Sequence, residues 1–69
     1  MSVGFKIKER REELGMTQEE LAKESRVSRG TIVALESGRD RTTTTKTLYR
    51  IAAALNTTVD RIFLSMMFN

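Results

Sequence analysis

The sequence predicts an all-α fold of five short helices, and three features carry that prediction. Apolar residues recur at helical spacing, most clearly Leu48, Ile51, Ala52 and Leu55. Residues that start helices precede these stripes, and residues that stop helices follow them. The 69 residues hold no proline, no low-complexity linker and no internal repeat, so nothing breaks the pattern into separate units.

The elements follow in order. A first helix is expected from about Phe5 to Leu14, ending at Gly15, a residue suited to the left-handed turn after a helix. Thr17-Gln18-Glu19-Glu20 reads as a capping box, with Thr17 accepting from the amide of Glu20 and the Glu20 side chain reaching back. That opens a second helix running to about Glu24. Ser28 is the N-cap of a third helix that ends before Gly38. Residues 39–44 form a loop, a fourth helix begins near Thr45, and Asn56 is its expected left-handed terminator. Thr58 caps a short fifth helix from Val59 to roughly Leu64.

Two charges interrupt the apolar stripes. On the first helix the inward face should hold Ile7, then position 10 or 11, then Leu14, and Arg11 falls on it. On the third helix the inward face should hold Ile32, Leu35 and Glu36. A lone buried charge is very costly, so two opposite charges on facing stripes are expected to pair in a partly buried Arg11–Glu36 salt bridge. The alternative is that both reach water at helix edges.

Composition narrows the possible functions. A chain of this size forms one small domain, spanning 1–69, and is marginally stable without a staple or a partner. It has no Cys and no His, so disulfides, thiolate metal sites and the commonest general base are all missing. No cofactor, metal or small-molecule ligand is indicated, and no nucleophile–base constellation is visible, so an enzyme is not expected. No apolar run suggests a signal peptide or a membrane span, which makes the cytoplasm the default compartment. The net charge of +3 is unevenly spread. Residues 1–25 carry five basic and six acidic side chains, about −1, whereas residues 26–50 carry six basic and two acidic, about +4. A local excess of this kind marks a candidate surface for a polyanion.

Two short helices joined by three or four residues must cross steeply. Ala22 can sit at the crossing, with Leu21, Val27 and Ile32 around it. The third helix then turns Arg29, Gly30, Val33, Ala34 and Ser37 outward. After the arginine every outward residue is small, which suits a helix pressed into something, and the DNA major groove admits one.

The stretch RREELGMTQEELAKESRVSRGTIVALESGR, residues 10 to 39, resembles the helix-turn-helix of the Cro/repressor (XRE-like) family of phage and bacterial regulators. TLYRIAAALNTTVDRIF, residues 47 to 63, is similar to that family's fourth and fifth helices. The resemblance implies a five-helix lambda-repressor-like DNA-binding domain in which the second helix braces on the backbone and the third reads base edges. It also implies a structural ion pair at Arg11 and Glu36. By the same resemblance Arg29, Gly30, Val33 and Ala34 match base-reading positions, and Thr17, Gln18, Ser28, Arg39, Arg41 and Thr44 match backbone-gripping ones. Arg29 has the donors to fork onto guanine, whereas Val33 and Ala34 can only touch a thymine methyl or permit close approach. The chain departs from the family where Arg26 replaces a usual glycine in the turn, where Gly30 replaces a frequent base reader, and where threonines replace a loop proline.

The tail from Ile62 to Phe68 is apolar at six of seven positions. Ile62, Phe63, Leu64, Met66, Met67 and Phe68 are therefore expected at a homodimer interface, from about residue 62 to 69, paired as a short strand with a symmetry mate or with residues 2–5; the alternative is a tail folded onto its own core. The leading expectation is a dimeric, sequence-specific regulator of double-stranded DNA, most simply a repressor, with an inverted repeat as target and no chain left over for an effector domain. The alternative is an antitoxin-type module whose tail holds an unlike protein and which also binds its own operator.

Overall fold

The computed structural model describes residues 3–39 and 44–61. Four α-helices lie within them: α1 (Val3–Glu13), α2 (Gln18–Ser25), α3 (Arg29–Glu36) and α4 (Thr45–Ala54). Residues 59–61 open a further helical turn, in which the Arg61 amide donates to Thr58 Oγ1 at 3.3 Å. No strand is present among the described residues, and none of their helices is long and apolar enough to cross a membrane.

Each boundary has a local cause. Thr17 Oγ1 accepts from the Glu20 amide at 3.0 Å, and the Thr17 amide donates to Glu20 Oε1 at 2.9 Å, closing the capping box. This contact holds the Glu20 carboxyl below the ordinary carboxylate range, because the Thr17 amide stabilises its charged form. Ser28 and Thr44 cap α3 and α4 in the same way, accepting from the amides of Thr31 and Thr47, each at 3.2 Å.

The four helices also end alike. The amides of Met16, Val27, Arg39 and Thr57 reach back five residues to the carbonyls of Arg11, Ala22, Ala34 and Ala52. The residue before each has positive φ: Gly15 (69°), Arg26 (58°), Gly38 (80°) and Asn56 (53°). Glycine adopts that conformation freely and asparagine tolerates it, whereas arginine is strained there by roughly 1–2 kcal/mol.

Packing α3 against α1 and α2, and α2 against α4, buries one core. Ile7, Leu21, Ile32, Ile51 and Leu55 are its fully buried side chains, with Val27, Leu35, Leu48, Ala52 and Val59 completing it. Ala22 of α2 packs against this core.

Two expectations need correction. Leu14 is not part of the inward face but 38% exposed. Helix α1 ends one residue earlier, the chain turns at Gly15, and Met16 packs against the core instead. The proposed strand pairing with residues 2–5 also fails on its N-terminal side, since residues 3–5 belong to α1. The tail residues Ile62, Phe63, Leu64, Met66, Met67 and Phe68 lie outside the described residues, as does Arg41.

Arg11 sits on the inward side of α1 and grips Glu36 through two parallel bonds, Nε to Oε2 at 2.8 Å and Nη2 to Oε1 at 3.0 Å. The Glu36 side chain is only 4% exposed. The third guanidinium nitrogen, Nη1, donates to the Met16 carbonyl at 2.7 Å. The bond to Glu36 raises the Arg11 pKa above its already high value, so the charge persists at any ordinary pH. Position 10 has a different task. Arg10 Nε donates to the Leu55 carbonyl at 2.9 Å, placing a cation where the carbonyl end of α4 is negative.

Candidate nucleic-acid interface

Helix α3 carries the candidate reading surface. Its inward stripe, Ile32 and Leu35, is buried, and Glu36 is occupied by Arg11. The helical period then turns Gly30, Ala34 and Ser37 the other way, with Val33 and the first-turn Arg29 on the flank. Arg29 and Gly30 are exposed, Val33 and Ala34 are half-buried, and Ser37 is exposed. The Arg29 guanidinium holds no ion pair among the described residues.

Gly30 is informative because it lies inside a helix. A Cβ built there meets nothing within 4 Å. Alanine would fit and would favour the helix by roughly 0.8–1 kcal/mol. Nothing inside the molecule calls for glycine at this position.

The residues expected to grip a backbone lie at helix starts and, for Arg39, just past the end of α3. Thr17 and Ser28 are exposed caps. Each hydroxyl oxygen accepts from an amide of its own helix and keeps one O–H. Ser28 Oγ and Thr31 Oγ1 are hydrogen-bonded at 2.8 Å, and either hydroxyl can donate. Thr44 spends its own on Thr47 Oγ1 at 3.0 Å. Arg39, just beyond α3, is exposed and donates through Nε to Ser37 Oγ at 3.1 Å, which leaves its terminal nitrogens to other partners. Gln18 is half-buried at the first position of α2 and donates through Nε2 to Glu36 Oε1 at 3.1 Å.

Charge separates by burial. Arg26, Arg29, Arg39, Lys46 and Arg50 are all exposed. The acidic side chain described in the same stretch, Glu36, is buried against Arg11. The surface presented by the described part of residues 26–50 is therefore cationic throughout, more so than the sequence total suggests. By contrast, Glu12, Glu13, Glu19, Glu20 and Glu24 lie exposed on α1, its end and α2.

Some contributors were not visible in the sequence. The Gln18–Glu36 bond joins residues 18 positions apart and carries no local signal. On the exposed face of α4, Lys46 and Arg50 were read only as part of the basic excess of residues 26–50, and Tyr49 was not read at all. The 3–4 spacing opposite Leu48, Ile51 and Ala52 would have found it.

The sequence is similar to that of known proteins. Residues 7–62 match the helix-turn-helix family. An uncharacterized HTH-type transcriptional regulator of Archaeoglobus fulgidus is 46% identical over 59 residues, covering 86% of this chain and 82% of that protein. A second protein of the same description and organism is 42% identical over 59 residues, covering 86% and 83%. A third, from Methanothermobacter thermautotrophicus, is 64% identical over 33 residues, about half of each chain at 48%. No solved structure matches significantly. With α2 and α3 joined through Arg26 to Ser28 and the family match running from α1 past α4, the chain belongs to the XRE-like helix-turn-helix family.

Proposed function

We propose that the protein is a sequence-specific, double-stranded DNA-binding transcriptional regulator, acting as a dimeric repressor that reads an inverted repeat through α3 in the major groove. The observation that carries this reading is the outward face of α3. A free arginine heads it, small side chains follow, and a helical glycine stands where the fold would accept alanine. That face trades helix stability for close approach to an external surface. Its relatives' description as transcriptional regulators points the same way.

In this reading Arg29 forks onto guanine O6 and N7, and Val33 and Ala34 let the groove floor come close. Thr17, Gln18, Ser28, Arg39, Arg41 and Thr44 hold phosphates and set register. Residues 1–69 act as one cytoplasmic domain, and the apolar tail from Ile62 joins two copies, so that their α3 helices enter successive grooves about 34 Å apart.

Selection of bound duplexes from a random pool tests it. The expected consensus is an inverted repeat with a guanine at the Arg29 position, and log affinity should fall linearly with log salt. Failure to enrich any duplex, or binding indifferent to salt, would sink the proposal. Sedimentation of the pure protein separates the dimer from an antitoxin-like module. A stable homodimer supports the first, and a monomer with an open apolar tail supports the second.

A further inference from the structure

The Arg11–Glu36 pair does more than lock α1 to α3. Glu36 Oε1 accepts from both Arg11 Nη2 at 3.0 Å and Gln18 Nε2 at 3.1 Å. A carboxylate only accepts, so the amide nitrogen of Gln18, not its oxygen, must face Glu36. That decides which way round the amide lies. One Nε2 hydrogen is spent on Glu36, and the other hydrogen and Oε1 are left for partners outside. The carboxylate brings little net repulsion toward an approaching phosphate, because Arg11 neutralises it through two parallel bonds.

We infer that Glu36 is a positioning residue for DNA binding, acting through Gln18. Held by Arg11, it fixes the Gln18 amide with one N–H already aimed away from the core before DNA arrives. A side chain ordered in the free protein loses less freedom on binding, and the contact gains affinity accordingly. The inference rests on the proposed placement of Gln18 at a phosphate. It goes further by making a buried residue of α3 tune a backbone contact of α2.

Two measurements test it. The first needs neither DNA nor a variant. In the free protein, nitrogen-15 relaxation of the Gln18 side-chain NH2 should show the order of a rigid group. Relaxation as fast as that of an exposed, mobile glutamine side chain overturns the inference. The second is a double-mutant cycle on a duplex recovered from the random pool, using Glu36→Gln, Gln18→Ala and the double variant, with melting of each measured alongside. Glu36→Gln should weaken binding about tenfold when Gln18 is present and less than about twofold when Gln18→Ala is already in place.

Equal losses in both backgrounds mean that Glu36 acts only through stability, and overturn this inference alone. If Glu36→Gln melts below the assay temperature, Gln18→Met serves instead. It keeps the side-chain length without donors and must weaken binding without lowering the melting temperature to the same degree. A wild-type chain that binds no duplex overturns the inference together with the proposed function.

Discussion

The two faces of α3 obey different rules, although they alternate along the same eight residues. The inward face, Ile32, Leu35 and Glu36, is what folding requires: two apolar side chains in the core and one carboxylate matched by Arg11. The outward face, Arg29, Gly30, Val33 and Ala34, is not required by folding. Arg29 has no partner among the described residues, and Gly30 faces open space. Substitutions inward should cost stability, and substitutions outward should cost binding.

The largest expected effect is inward. Glu36→Ala leaves Arg11 buried without its partner and should lower unfolding free energy by about 3–5 kcal/mol. Urea titration reads this directly. A loss below about 1 kcal/mol would mean that water solvates Arg11 readily and that the two faces are less distinct than argued.

Next comes the outward counterpart. Arg29→Ala should weaken specific duplex binding by about 1–3 kcal/mol and relax the preference at one base pair. Its melting temperature should stay near that of the parent. A stability loss as large as the binding loss would erase the distinction.

Arg26 sharpens the comparison from the turn. Arg26→Gly relieves a positive-φ arginine and should stabilise the protein by roughly 1 kcal/mol in chemical denaturation. Glycine's freedom in the unfolded chain offsets part of that gain. A less stable variant would show that the Arg26 side chain contributes more than its backbone costs.

Gly30→Ala is the most diagnostic of the smaller changes. It should stabilise the helix by about 0.8–1 kcal/mol and at the same time weaken DNA binding. A gain in stability with undiminished affinity would remove close approach as the reason for glycine.

The smallest effect is a pH dependence. The Glu20 carboxyl titrates below its ordinary value of 4.5 when folded, because the Thr17 amide favours the charged form. Its stabilising contribution is therefore present above that value and is lost as pH falls through the depressed folded value. Glu20→Gln keeps the cap without the titration, so the stability of this variant should decline less steeply than that of the parent below pH 4.5. Parallel acid profiles would assign the acid sensitivity elsewhere.

Much of the fold was legible because its causes are local. The capping box at Thr17, the hydroxyl cap at Ser28 and the turns at Gly15, Gly38 and Asn56 depend on residues within one helical turn. Arg11 and Glu36 were legible as a pair for a different reason, since each falls on a stripe that is otherwise apolar. Leu14 was misread because its exposure depends on where the chain turns at Gly15, one step past the periodic pattern. The stripe placed Arg11 but gave its neighbour Arg10 no role. Only the position of α4 makes Arg10 a cap for Leu55.

The sequence by itself determined the helices, their caps and the core stripe, because short-range sterics and hydrogen bonding decide each of these. The tertiary structure alone decided that Gln18 donates to Glu36, that the cations of residues 26–50 are exposed wherever described, and that Gly30 faces open space. Those facts depend on which helix faces cover one another, and a helical period names a face without naming its neighbour.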